Sequence, residues 1–371
     1  MRLVVAALSA RWLAESARGA GHDVIALDVF GDRDTRAASI EWRSIGTGGL
    51  HVDASRLCEA LRGLDAVGWI AGAGIEPHLA AAAAAAPASL PLLGNTPEAV
   101  AAVRHAPTFF AALDALGIDH PMTRFDSPAD ADGWLSKDFA GSGGWHVQRA
   151  KPATAGAASA ATHYWQREQD GQPLSAAFVA DRHRAHLLGV QRQLVRPIAG
   201  RPYVFCGVIG PIAIGASVRH SVERIVAALV ARFALRGLGS VDFLFDDGDN
   251  LQVLEVNPRP TAGCALCERG GSMVRAQLAA CRGDAAPAGA LPLDGKPLRG
   301  IEIVYAERDA SVDPARLPAA PWCHDVPHEA LRVARGDPIC SVSAAAASER
   351  QVVEELAERR HDVLSLLELC E

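Results

Sequence analysis

The 371-residue sequence has no surplus of basic charge: 36 Lys and Arg stand against 43 Asp and Glu, a net charge of −7. That balance excludes the electropositive footprint of a nucleic-acid or anionic-membrane binder, while leaving room for a local basic pocket. No apolar run approaches the ~20 residues that a membrane-spanning helix needs. The eight cysteines lack framework spacing. Only Cys264 and Cys267 form a CxxC pair, with no second pair at zinc-site distance, so buried thiols are expected in place of metal ligands. The common phosphate-binding signatures are missing as well. The turn after the first strand, AALSARW, has none of the glycines of GxGxxG, and no Walker A or protein-kinase motif occurs.

At 49% hydrophobic and 21% charged residues, the chain is globular and long enough for two or three domains. The opening MRLVVAALSA could pass for a signal peptide, but Arg11, Glu15 and Arg18 follow in a helical pattern and HDVIALDVF then reads as a strand. That start predicts a cytoplasmic protein. Residues 1–97 alternate strands with helices, which predicts an N-terminal α/β domain with a parallel sheet. Ligands of such sheets lie beyond the carboxyl ends of the strands. Residues 98–295 change character. Pro97, with Thr96 as cap, opens a helical pattern that runs to Gly117. Strands then follow in series, predicting an α+β domain divided into 98–162 and 163–295. Residues 296–371 read as a small β-rich extension closed by a helix from about Ser348.

The stretch VDFLFDDGDNLQVLEVNPRP (241–260) interrupts two apolar strands with Asp242, Glu255 and Asn257. Side chains alternate along a strand, which predicts Leu251, Val253, Glu255 and Asn257 on one side. A turn centred between Gly248 and Asp249 sets Asp242 opposite Glu255, with Cβ atoms about 5 Å apart. Like charges that close call for a cation, and hard oxygen ligands suit Mg²⁺. A solvated edge hairpin is the competing reading. Upstream, SKDFAGSGGWHV places Lys137 at a strand end before Gly141, Ser142, Gly143 and Gly144. Glycine lets backbone N–H groups approach phosphate closely, and the lysine supplies a point charge.

Strand–Lys137–glycine loop, then WQREQDG, VDF and LEVNPRP, together resemble the ATP-grasp superfamily over nearly the whole chain. The resemblance implies an ATP-grasp fold: an N-terminal parallel-sheet domain, a two-part ATP clasp and a C-terminal extension. It implies ATP and Mg²⁺ (or Mn²⁺) as cofactors, with Asp242, Glu255 and Asn257 as metal ligands. It places Lys137 on the phosphates, Gly141–Gly144 as the lid and Arg259 facing phosphate or substrate. Gln166 and Glu168 fall in the hinge that contacts adenine and ribose. Where the superfamily usually has Asp-Lys, this chain has Arg104-His105, so Arg104 would carry that charge with different geometry. Arg192 is a further phosphate candidate and Glu76 a candidate for meeting a substrate amine. Each has an ordinary solvated role as its alternative.

The implied chemistry is an ADP-forming ligation in which a carboxylate becomes an acyl phosphate that an amine then attacks. Such chemistry needs positioning and charge neutralisation more than a protein nucleophile, in keeping with the missing Ser–His–Asp and Cys–His signatures. The stretches SARWLAESARGAG, AGAGIE and RGDPICSVSA resemble the subgroup containing tyramine–glutamate ligase of methanofuran-type one-carbon cofactor synthesis. Partners are then a small carboxylate and an amine, with a homodimer as an option. Three alternatives stay open: a carboxylase acting through carboxyphosphate, a nucleotide-binding regulator without turnover, and a binding protein that takes no nucleotide.

Overall fold

The computed structural model describes residues 1–48, 50–151, 162–181, 184–246, 248, 250–284 and 297–369. The N-terminal unit comprises β1 (Arg2–Ala6), α1 (Arg11–Gly19), β2 (Asp23–Asp28), α2 (Arg33–Ala38), β3 (Glu41–Ser44), α3 (Ala54–Leu61), β4 (Trp69–Ala71) and α4 (Leu79–Ala85). Its strands form one sheet in the order β3-β2-β1-β4, every pair parallel. These strands are covered on both faces, which is why they read as continuous apolar runs. The stretch PLLGN contributes one parallel bridge, Trp69 to Leu92.

The helical pattern that runs to Gly117 is two helices, α5 (Pro97–Arg104) and α6 (Ala106–Leu116). Pro107 cannot donate to the carbonyl four residues back and its ring clashes with it, so the helix breaks at His105. Thr96 caps α5 by accepting from the Ala99 amide, and Gly117 ends α6 in the left-handed region.

A small sheet follows, made of β5 (Thr123–Arg124), β6 (Trp134–Asp138), β7 (Gln148–Arg149) and β8 (His163–Arg167), ordered β5-β8-β6-β7. The stretch WHVQRA pairs over only the two residues of β7. The chain then enters an eight-stranded sheet through β9 (Gln172–Asp181), β10 (Ala185–Ile198), β11 (Arg201–Gly210), α7 (Ala216–Phe233), β12 (Arg236–Phe245) and β13 (Leu251–Asn257). After α8 (Ala262–Leu266) and α9 (Ser272–Arg282) come β14 (Leu298–Tyr305), β15 (Ala310–Val312), β16 (Cys323–His324), β17 (Leu331–Val333), β18 (Pro338–Ala346), α10 (Glu349–Ser365) and β19 (Glu368–Leu369). The order of the large sheet is β13-β12-β9-β10-β11-β14-β18-β16. Position 295, read as a boundary, lies outside the described residues. The tail beyond it joins the large sheet directly, because β14 pairs with β11 from Gly207 to Gly210.

One face of the large sheet buries Leu174, Phe178, Val241, Phe243, Leu251, Val253 and Val256 against α6 and α7. The other face packs on α8 and α9 through Ala177, Val179, Leu188 and Leu238, and α9 ties it to the N-terminal unit. Among the described residues no helix is long and apolar enough to cross a membrane.

Candidate ATP site

The hairpin β12–β13 pairs Ser240 with Asn257, Val241 with Val256 and Asp242 with Glu255. Between Asp242 and Phe243 the register shifts, so that Phe243 faces Val253 and Leu254 is the extra residue of a bulge. The bulge overturns one expectation. Leu251 and Val253 share the apolar face with Val241, Phe243 and Val256, while Glu255 and Asn257 emerge on the opposite face beside Asp242. A regular strand would have put all four on one side. The extra residue separates core anchors from polar groups and aims the carboxylates at the face carrying the N-terminal unit.

Asp242 is buried, 8% exposed, and accepts from Ser175 Oγ at 2.6 Å and from Asn257 Nδ2 at 3.0 Å. Burial and the neighbouring Glu255 charge push its pKa up to about 7. Asn257 Nδ2 also reaches Glu255 Oε1 at 3.4 Å, while its Oδ1 accepts from Arg259 Nη2 at 3.0 Å. Thus the amide turns its NH₂, not the expected oxygen, towards the carboxylates, because two carboxylates side by side need a donor between them. The same strained pair fits a divalent cation: hard oxygens, a raised acid and a donor that a half-turn of the amide would withdraw. Among the described residues no group of three or more His, Cys, Asp and Glu side chains is disposed to hold a metal. A cation here would therefore rest on two carboxylates, the Asn257 oxygen and substrate oxygens.

On β6, Lys137 is 9% exposed and donates Nζ–H to Gln166 Oε1 at 2.6 Å. Burial pulls its pKa down to about 8, against the Glu255 charge that favours the ammonium. Gln166 lies inside the small sheet and not at the hinge. It is 1% exposed, and its Nε2 donates to Thr123 Oγ1 at 3.0 Å, so it positions Lys137. Glu168 directly follows β8 and accepts from Arg149 Nη1 at 2.6 Å and from the Tyr203 hydroxyl.

The glycine loop is docked on β11, with Phe205 N donating to Gly143 O at 2.9 Å. Gly144 (φ +76°) presses so close that a Cβ there would stand 1.7 Å from Tyr203 O. Ser142 is exposed. Arg104 Nη2 donates to Gly141 O at 3.1 Å and Phe139 O at 3.3 Å, holding the root of the loop.

Glu76, just beyond β4, joins two arginines from other parts of the chain. Its Oε1 accepts from Arg259 Nε at 2.7 Å and lies 3.8 Å from Arg104 Nη1, with the side chain 4% exposed. Burial alone would raise this carboxyl, but Arg259 and Arg104 outweigh it and hold it below its ordinary value. Glu76→Gln should destabilise the fold by about 3 kcal/mol, the cost of stranding buried charge. Denaturant unfolding checks this, and a loss below about 0.5 kcal/mol, the size of an exposed ion pair, would show that the bridge contributes little. Arg192 lies elsewhere: its Nε is 2.5 Å from Glu349 Oε1 at the start of α10. Cys264 and Cys267 are both fully buried, their thiols facing Gly239 O and Leu188 O at 3.7 and 3.9 Å.

Residues 108–263 match the family model of the ATP-grasp domain. No curated protein matches the sequence. Among solved structures, the biotin carboxylase domain of Hydrogenobacter thermophilus 2-oxoglutarate carboxylase, in complex with MgADP, ADP and bicarbonate, is similar at TM-score 0.73 and 12% identity, covering 100% of this chain and 90% of that one. L-amino acid ligase from Bacillus licheniformis gives TM-score 0.67 and 13% identity, covering 97% of both chains. N5-carboxyaminoimidazole synthase from Aspergillus clavatus, in complex with ADP and 5-aminoimidazole ribonucleotide, gives 0.67 and 13%, covering 98% of both. The chain has the ATP-grasp fold. Within it, the small sheet carries Lys137 and the glycine loop, and the large sheet carries the carboxylates. Ser175, His146 and Thr123 escaped the sequence reading. Ser175 and Asp242 are direct neighbours across β9 and β12, a register that sequence spacing cannot supply.

Proposed function

We propose that this chain is an ATP-dependent carboxylate–amine ligase. What supports it most is the pairing of Asp242 with Glu255 on β12–β13 together with the buried Lys137 of β6, on whose ammonium the Glu255 charge acts. Lys137, held by Gln166, would bind phosphate oxygens. Asp242, Glu255 and Asn257 would hold Mg²⁺, which when bound supplies positive charge to screen the β- and γ-phosphates. The docked glycine loop would exclude water from the site.

A substrate carboxylate oxygen attacks the γ-phosphorus as the bond from that phosphorus to the β-phosphate's bridging oxygen breaks, releasing ADP. The amine nitrogen then attacks the acyl carbon, phosphate leaves with its bridging oxygen, and the amine gives up a proton. Arg259, bonded to Glu76 just beyond β4, would stabilise negative charge that develops on substrate oxygens. The sequence stretches similar to tyramine–glutamate ligase make glutamate and an aromatic or aliphatic amine the first pair to test.

The similarity to a carboxylase domain with MgADP and bicarbonate favours one second reading, a carboxylase acting through carboxyphosphate. A coupled ADP-release screen of amino acids against amines separates them. The ligase reading expects ADP release that requires both an acid and an amine and proceeds without bicarbonate. Release that depends on bicarbonate alone supports the carboxylase, and no release with any pair overturns the ligase.

A further inference from the structure

We infer that Asn95 is a positioning residue: it locks the turn that carries Arg259 and so aims that guanidinium for the reaction. This rests on the ligase reading above, in which Arg259 stabilises charge on substrate oxygens, and deepens it. Arg259 stands between Pro258 and Pro260, both buried. Proline has no backbone N–H, so two residues of this turn offer carbonyls alone and depend on donors brought from elsewhere. Asn95 brings one. Its Nδ2 donates to Pro258 O at 2.9 Å, across 163 positions of sequence, while its Oδ1 accepts from Arg236 N at 2.7 Å.

The pairing of β12 with β13 ends at Ser240 and Asn257. Arg236 opens β12 before that point and Pro258 directly follows β13, so the Asn95 amide joins the two chains where the ladder stops. Asn95 is 6% exposed, and Arg236 Nε reaches back to Gly94 O at 2.5 Å, which fixes the loop that presents it. The N-terminal unit holds the arginine's side chain as well, through the bond of 2.7 Å from Arg259 Nε to Glu76 Oε1. Asn95, Glu76, Pro258 and Arg259 line one small cavity. The orientation of the amide is forced, because a proline carbonyl only accepts and a backbone N–H only donates. A carboxylate of the same shape would set an acceptor against Pro258 O. Its protonated form could donate there.

Steady-state ADP release by the full chain, with the acid and amine that the screen selects, tests this beside calorimetric binding of Mg²⁺ and the imido analogue of ATP. Asn95→Ala should lower kcat about 10- to 100-fold, the scale of a misplaced group, and change nucleotide affinity less than about twofold. In an Arg259→Lys background the same substitution should cost less than about twofold, since a residue that acts through the arginine has nothing left to aim. Asn95→Asp should match the alanine variant at pH 8. Relative to wild type at the same pH, it should regain most of the lost kcat as pH falls to about 5, where a buried carboxyl holds its proton. Unchanged kcat, an equal loss in the Arg259→Lys background, or a deficit in Asn95→Asp that ignores pH would overturn the assignment. Where a variant does not turn over or does not fold, hydrogen exchange of Asn95→Asp at pH 8 decides. The Arg259 and Thr261 amides should exchange at least about tenfold faster, with those of 251–256 within about twofold of wild type. Equal acceleration of both sets, or of neither, overturns the positioning role. Wild-type protein that releases no ADP with any pair, yet shows the expected exchange in the variant, sinks the ligase reading and leaves the anchoring of the turn in place.

Discussion

Replacing Glu255 with Gln, or Asp242 with Asn, is expected to lower turnover at least 10²–10³-fold, the scale on which removing one group that stabilises transition-state charge acts. The same substitutions should leave the ligand-free fold intact or more stable. The sign follows from Asp242, whose pKa is raised from an ordinary 3.8 to about 7 by burial and by Glu255. A carboxyl that binds its proton more tightly in the folded state makes the ligand-free protein lose stability as pH rises from about 4 to 7, after which the cost is complete. Asp242→Asn removes that cost, discounted by the weaker hydrogen bonds an amide oxygen accepts from Ser175 and Asn257. A gain of about 1–3 kcal/mol at pH 8 and almost none at pH 4 is the expected balance. Glu255→Gln reaches a similar end by lowering the pKa of Asp242. Mg²⁺ with ATP should raise the melting temperature of the wild type at pH 8, by mass action on the folded state, and fail to do so for either variant. Thermal unfolding at the two pH values, with and without Mg²⁺ and ATP, measures this. Variants that keep turnover within threefold, or that still respond to Mg²⁺ and ATP, would remove the carboxylates from the metal site.

What could be read from the sequence divides by the range of the forces involved. The opposition of Asp242 and Glu255 is read from a turn centred between Gly248 and Asp249; the inner pairs, Phe243–Val253 to Phe245–Leu251, centre on Gly248 instead, and the bulge restores the pairing of Asp242 with Glu255. The bulge at Leu254 was not legible, since an extra residue leaves the composition of the strand unchanged and shifts only its parity. Pro107 was readable as a helix breaker, but apolar spacing across it hid the break. Gln166 illustrates another limit. Its place opposite Leu135, which turns it into the acceptor for Lys137, depends on how β6 and β8 meet, and no local signal sets that register. The bridge from Arg104 to Glu76 to Arg259 is more remote still, its glutamate and Arg259 being 183 positions apart in sequence. Such contacts come from packing the N-terminal unit onto the large sheet, and each residue alone looks like a solvated charge.

Lys137 carries the second large effect. Its ammonium is buried with Gln166 as its one hydrogen-bond acceptor among the described residues, and its pKa falls from 10.5 to about 8. The charged form, which phosphate oxygens want, is therefore present below pH 8 and is lost above it. Nucleotide affinity should hold steady up to about pH 8 and then fall up to tenfold per unit, with proton uptake on binding that calorimetry in buffers of different ionisation enthalpy detects. Lys137→Ala removes a charge-assisted hydrogen bond worth about 1.5–3 kcal/mol, an affinity loss of about 10- to 150-fold at pH 7. Lys137→Arg stays charged throughout, so its binding, though weakened by the guanidinium's larger shape, should not change between pH 7 and 9.5. Stability runs the other way. A lysine whose folded pKa is depressed binds fewer protons folded than unfolded, so the ligand-free protein gains stability as pH rises from about 8 to 10.5. Lys137→Met should accordingly stabilise the ligand-free protein below pH 8 while destroying nucleotide binding. An affinity profile that is flat from pH 7 to 9.5 in the wild type would show that this ammonium does not meet the phosphates.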